Sequence, residues 1–338
     1  MNAEWVAEYF RLLLPADPRQ LDIEGAQLLK LANLPPSLFR YRSYPPVDDA
    51  SSTRGSDPER QRQRILHEIR TGEVFLSSPD AFNDPYDSAF CVLNQHLLDS
   101  AWRARLLELL EKQKIGEYLS ENEIEQVLNS HNPLHTLGRL LLAQDSSLPK
   151  EKIDPFLTSV EHHLEKRMRE LREDMGFNMR GGLRVCCFSA TVESIVMWSH
   201  YASAHQGLCM EYDIGALPKD DRRRYAISPV VYVEKLFDAG DYFQQARAGD
   251  FNNLWLTLAC LHKSVEWSYE REWRLVLPVG PNQPRYQSVA LPIKAVYLGS
   301  RVPSSTRYDV QQATSEIGVP LCEMRMSKDS FKVMVEAT

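Results

Sequence analysis

From Leu97 to Gly176 the chain reads almost entirely as helix, broken only at Asn132-Pro133, Ser147-Leu148-Pro149 and Asp154-Pro155. Every strand candidate lies before or after that stretch. A sheet must therefore be assembled from two flanks separated by about eighty helical positions, which a regular run of βαβ units does not do. The expected fold class is α+β: a mixed or antiparallel sheet core with a helical insertion. The expected division is residues 1–96 for the N-terminal helix and first part of the core, 97–176 for the insertion, and 177–338 for the rest of the core.

At 338 residues and 43% hydrophobic content, the chain can bury one large core and carry such an insertion. Its net charge of -7 argues against a general nucleic-acid binder but leaves room for a local basic groove. No basic segment followed by an apolar run opens the chain, and the most apolar stretch, Leu254 to Leu261, is too short to span a bilayer. A cytoplasmic protein with no membrane partner is expected. Six cysteines without a CxxC pair suit reduced thiols better than disulfides or zinc.

Local signals place the elements. Trp5, Val6, Tyr9, Phe10 and Leu13 are at helical spacing, and Pro35-Pro36 forces an extended approach to a strand over Leu38–Arg42. After a polar loop through Ser56, Asp57-Pro58 caps a helix that runs to about Arg70 and closes at Gly72. Val74–Leu76 is a short strand, followed by an Asn83-Asp84-Pro85 loop. Leu183–Phe188 is a strand, and a helix is expected from Thr191 through His200. Further strands fall at Leu208–Tyr212, Val230–Val233, Trp273–Leu277, Ala295–Leu298, Cys322–Met326 and Phe331–Val335, with a helix over Ala246–Lys263. The last helix of the insertion, with His162, His163, Lys166, Arg167, Arg169 and Arg172 among acids, reads as a solvated face.

Four polar blocks carry the chemistry. In Phe39-Arg40-Tyr41-Arg42-Ser43, strand parity puts Arg40 and Arg42 on one face, as two guanidinium groups for phosphate or as an internal salt bridge. Ser77-Ser78 leaves a strand beside the loop of Asn83, Asp84 and Asp87. Ser189 ends a strand where it can brace a carboxylate, contact a ligand or cap a helix, and His200-Tyr201 supplies a general base and a stacking ring or ordinary helix-end packing. In Glu270-x-Glu272-Trp273-Arg274, Glu272 and Arg274 oppose an apolar face of Trp273, Leu275 and Leu277. Glu272 suits stabilisation of positive charge as a leaving group departs, orientation of a hydroxyl nucleophile, or a salt bridge with a nearby arginine.

These blocks, together with Cys187-Phe188-Ser189, Met197-Trp198-Ser199-His200-Tyr201-Ala202 and His205-x-Gly207, resemble the large bacterial family catalogued as domain of unknown function 2971, over roughly residues 38–300. More remotely, the order aromatic-arginine, strand serine, Glu-x-Glu resembles the arginine–serine–glutamate arrangement of ADP-ribosyltransferases. That resemblance implies an ADP-ribosyltransferase-like core and NAD as a substrate. Arg42 or Arg40 would hold its phosphate, Ser189 would support the nicotinamide pocket, Glu272 would drive glycosidic cleavage and Glu270 would position the acceptor. Trp198 or Tyr201 would form an aromatic wall, with Ser78 and Asn83 facing the ligand and His200 as a further catalytic candidate. Phe188-Ser189-Ala190-Thr191 stands where those enzymes have a Ser-Thr-Ser block.

The expected function is NAD-dependent ADP-ribosyl transfer to a protein or nucleic-acid acceptor. Two alternatives stay open: a noncatalytic nucleotide or partner-binding sensor, and a defence nuclease in which Mg²⁺ bridges Asp84, Asp87, Glu270 and Glu272.

Overall fold

The computed structural model describes residues 4–15, 18–45, 57–91, 119–130, 133–144, 180–240, 254–280, 283–284 and 286–336, with scattered positions between 106 and 166. Most of the expected insertion, including His163, Arg167, Arg169 and Arg172, lies outside the described residues, as do the polar loop 46–56 and the expected helix start at Ala246. Among the described residues no helix is long and apolar enough to cross a membrane.

The chain divides into two compact units. The larger one holds Met1–Ala89, Met179–Phe237 and Leu256–Thr338. Its elements are α1 Glu4–Leu13, α2 Ile23–Asn33, β1 Ser37–Arg42, α3 Pro58–Thr71, β2 Glu73–Ser77 and β3 Leu183–Ser189. The second unit takes Phe90–Asn178 and also Asp238–Trp255, so a segment beyond the expected insertion contributes to it. Its helices α4 Glu121–Asn129 and α5 Pro133–Gln144 bury Val127 and Leu137 with Leu106, Leu110 and Leu119. Ser120 and Glu123 form a reciprocal capping box that fixes the start of α4.

The larger unit continues with α6 Ile195–Tyr201, β4 Leu208–Asp213, α7 Arg222–Ala226, β5 Ile227–Pro229 and β6 Val231–Val233. Then follow α8 Leu254–Cys260, which begins in the second unit, and β7 His262–Ser264, β8 Glu272–Pro278, β9 Tyr286–Ala290, β10 Ile293–Leu298, α9 Ser304–Ile317, β11 Leu321–Met326 and β12 Val333–Val335. Ten of these strands form one mixed sheet in the order β9-β2-β3-β1-β4-β10-β11-β12, with β8 on β3 and β5 on β8. All its pairings are antiparallel except β10 with β11. Leu38, Ile65, Ile69, Val74, Leu76, Met210 and Leu275 are among the residues of its continuous buried core.

Caps explain the helix that matters most to the site. The Asp57 carboxylate accepts from the Glu59 N–H, and Gly72 closes α3 at φ 68, a left-handed value that glycine alone adopts without strain. A Cβ at Gly72 would also sit 2.2 Å from the Leu291 carbonyl oxygen.

Three expectations are corrected. The helix expected from Thr191 starts at Ile195, because the Thr191 hydroxyl closes a local turn on the Glu193 N–H and Ser194 caps the helix instead. The helix expected to reach Lys263 stops at Cys260, and Lys263 enters β7, which pairs in parallel with β6. The strand expected from Phe331 starts at Val333, with Phe331 fully exposed. The elements α7, β5, β9 and α9 have no counterpart among the expected ones. All six cysteines are free, and Cys91, Cys187 and Cys322 are only partly buried.

Candidate functional site

A split in the sheet makes the cavity. β8 pairs along the whole of β3, from Leu183 to Ser189. On β3 the other edge is therefore shared: β1 meets it at Ser189 and β2 meets it at Val185, four residues apart. The uncovered segment Cys186–Phe188 forms one wall of a cavity of about 210 Å³, with Phe39–Tyr41 and Ser77 on the splayed strands. Asn83, Tyr201, Glu270 and Lys263 also line it.

Five charged side chains form one buried network, and four of them, Asp87, Lys263, Glu270 and Glu272, line this cavity. Arg274, fully buried, holds Asp87 with two parallel bonds of 2.7 and 2.6 Å and donates its Nε to Glu272 at 2.7 Å. Lys263 donates to Glu272 at 2.8 Å and to Glu270 at 2.5 Å, and its ammonium lies 5.1 Å from the centre of the Trp267 ring. The second Glu270 oxygen accepts from the Tyr201 hydroxyl at 2.6 Å. Three carboxylates thus face two cations, most of them out of water.

Backbone geometry brings Glu270 and Glu272 together. Glu270 ends a 3₁₀ turn that Ser264 caps, Arg271 takes a left-handed φ of 46, and β8 begins at Glu272. The Glu272 N–H then bonds the Tyr232 hydroxyl at 2.8 Å, and the Ser189 hydroxyl donates to the Glu270 carbonyl at 2.7 Å. The two carboxylates consequently differ. Burial alone would raise the Glu272 carboxyl, but Arg274 and Lys263 outweigh it and hold it well below the usual carboxylate range. Burial and the neighbouring Glu272 charge raise Glu270, and Lys263 and Tyr201 offset only part of this. A carboxyl with a raised pKa at a cavity wall is equipped to take up and release a proton.

Arg40 and Arg42 converge from the same face of β1, as parity predicts, and both meet Glu68 of α3. Arg40 does so at 2.7 Å and Arg42 at 3.6 Å. The Tyr212 hydroxyl donates at 2.7 Å to the same Glu68 oxygen that Arg40 bonds. Burial would raise Glu68, but the two arginines and Tyr212 bring it down.

Of the residues singled out from sequence, Arg40, Asn83, Ser189, Tyr201, Glu270 and Glu272 line one cavity. Arg42 opens instead onto an adjoining groove. Ser78 is buried and donates to the Arg180 carbonyl at 3.0 Å, and its neighbour Ser77 takes the cavity wall. Trp198 is a core residue: its indole N–H bonds the Val192 carbonyl at 2.7 Å and its ring packs on Tyr41 and His205. His200 is exposed and does not line the cavity. Sequence reasoning missed Lys263, which strand pairing rather than any motif delivers, and Glu68, whose one signal was a carboxylate on a capped amphipathic helix. In the carboxylate set proposed for Mg²⁺, both Asp87 oxygens and both Glu272 oxygens already bond Arg274 or Lys263, which supply the charge a divalent ion would bring. Among the described residues no group of three His, Cys, Asp or Glu is arranged to hold a metal.

Residues 197–275 match the model of a family described as a protein of unknown function (DUF2971). The matched span includes Tyr201, Lys263, Glu270, Glu272 and Arg274, so the similarity falls on the carboxylate side of the cavity. Neither the curated proteins nor the solved structures give a match to the chain.

Proposed function

We propose that the protein cleaves the N-glycosidic bond of NAD and passes the ADP-ribosyl group to a protein or nucleic-acid acceptor. The observation that carries this reading is a single row across three adjacent strands. Ser189 of β3 pairs with Phe39 on one side and with Glu272 on the other, and Arg40, which leaves the opposite face of β1 from Phe39, reaches the same cavity where the sheet splits. Arginine strand, serine strand and glutamate strand are neighbours around one cavity.

In this reading the nicotinamide and its ribose enter the cavity. As the bond breaks, nicotinamide leaves with the bonding electron pair and positive charge develops on the ribose. Glu272, kept ionised by Arg274 and Lys263, and Glu270 supply the negative field that stabilises it. The acceptor forms the new bond to the ribose carbon and loses a proton, which the raised Glu270 carboxyl is suited to receive. Tyr201 orients Glu270 through its hydroxyl, and Ser189 fixes the backbone of the same residue.

Cost favours a functional origin for this cluster. Replacing buried ion networks by apolar side chains is often neutral or stabilising. A buried network that sets four of its charged groups, Asp87, Lys263, Glu270 and Glu272, on the wall of a cavity is therefore poorly explained by stability alone. Calorimetric titration with NAD tests the reading: wild type should bind, and Glu272→Gln, with its melting temperature checked, should bind but release no nicotinamide. Absence of binding by a folded wild-type protein would rule it out.

A further inference from the structure

The groove beside the cavity has about 1040 Å³ of space and shares Tyr41 and Tyr201 with it. Among the described residues, Arg42, Arg60 and Arg64 line this groove against a single acid, Asp57, whose carboxylate is engaged on the Glu59 N–H. Arg60 and Arg64 are four apart on α3 and so share a helix face. Arg64 lies over the Phe75 ring at 5.3 Å, and Tyr286, largely exposed, stands at the groove from β9. β2 and β9 pair with Ser288 opposite Phe75 and Tyr286 opposite Ser77, which sets the two aromatic residues on one face of the sheet.

Arg42 supplies a second, independent observation. One carboxylate, Glu68, serves two guanidinium groups, and Arg40 takes the close contact. The Arg42 Nε is buried with no hydrogen-bond acceptor among the described residues. A buried donor without a partner at the side of a basic groove is satisfied by an incoming anion.

We propose that this groove binds a nucleoside diphosphate, with the phosphates on Arg42, Arg60 and Arg64 and the base against Phe75 and Tyr286. The shared residue Tyr201 leads from the phosphates to Glu270, so the ribose beyond the diphosphate reaches the cavity. Three guanidinium groups match two phosphates, whereas a long polyanion would meet a chain of net charge -7. This assignment rests on the transferase reading for its biological sense, but its test does not.

The test is calorimetric titration with ADP, adenosine and inorganic phosphate, on wild type and on Arg60→Gln/Arg64→Gln, two exposed positions whose replacement spares the core. ADP should bind at least tenfold more tightly than adenosine or phosphate, and the double variant should lose at least tenfold for ADP with an unchanged melting temperature. Equal binding of ADP and adenosine, no effect of the double variant, or an oligonucleotide that outcompetes ADP would overturn the assignment. ADP binding without nicotinamide release from NAD would leave the groove standing and remove the transferase reading. Nicotinamide release with the same KM for NAD in the double variant would do the reverse.

Discussion

The Ser189 hydroxyl donates to the backbone carbonyl of Glu270 at 2.7 Å, while across the strand pair Ser189 faces Glu272. One residue therefore meets both ends of the Glu-x-Glu segment, Glu270 through its hydroxyl and Glu272 through strand pairing. Ser189→Ala should cost about 1–3 kcal/mol, because it leaves a buried carbonyl unpaired. Urea denaturation measures this, and a change below a few tenths of a kcal/mol would show that the bond does not hold the segment.

Lys263 is the shared cation of Glu270 and Glu272. Removing one partner of a buried ion pair leaves uncompensated charge, so Lys263→Met should destabilise the protein by about 3–5 kcal/mol. Adding Glu270→Gln to that variant should recover part of the loss, since one of the stranded charges is then gone. A loss in the double variant equal to the sum of the losses in Lys263→Met and Glu270→Gln alone, measured by denaturation, would mean that the two residues are not coupled.

The two carboxylates should differ in their effect on acid stability. Glu272 is held below its unfolded value, so its contribution is present above about pH 4.5 and is lost as pH falls toward its folded pKa. Glu270 is raised, so its ionisation opposes folding as pH climbs through its folded pKa. Melting temperatures between pH 3 and 6 should fall on the acid side in wild type. Glu272→Gln should flatten that fall, and Glu270→Gln should steepen it.

Arg271 takes a left-handed conformation between the two glutamates. For residues other than glycine this costs about 1–2 kcal/mol. Arg271→Gly should be neutral or slightly stabilising, after the flexibility glycine adds to the unfolded chain, whereas the β-branched Arg271→Val should lower the melting temperature by several degrees. The opposite order by calorimetry would show that the turn has another conformation.

How far the sequence foretells this site depends on whether the decisive contacts are local. Asp57 and Gly72 bracket α3 through caps made within a few residues, and both were legible. The parity of Arg40 and Arg42 was legible as well, but their partner Glu68 comes from α3 and no spacing announces it. Lys263 follows an apolar run that reads as helix, and only its pairing with Tyr232 makes it a strand residue at the cavity. β9 alternates between exposed and half-buried positions and so lacks an apolar face. In α9 the polar run Ser304–Thr306 and Gln311-Gln312 thin the helical periodicity, leaving mainly Val310 and Ala313 in the core. Trp198 misled for the opposite reason: an aromatic residue in a polar block can be core, and its indole N–H finds a backbone carbonyl.

The most direct measurement is the rate of nicotinamide release from saturating NAD by wild type and by Glu270→Gln, with both proteins shown to be folded. Wild type should release nicotinamide, and the variant should lose at least a hundredfold of that rate. Release that is unchanged in Glu270→Gln, or absent from folded wild type, would contradict it.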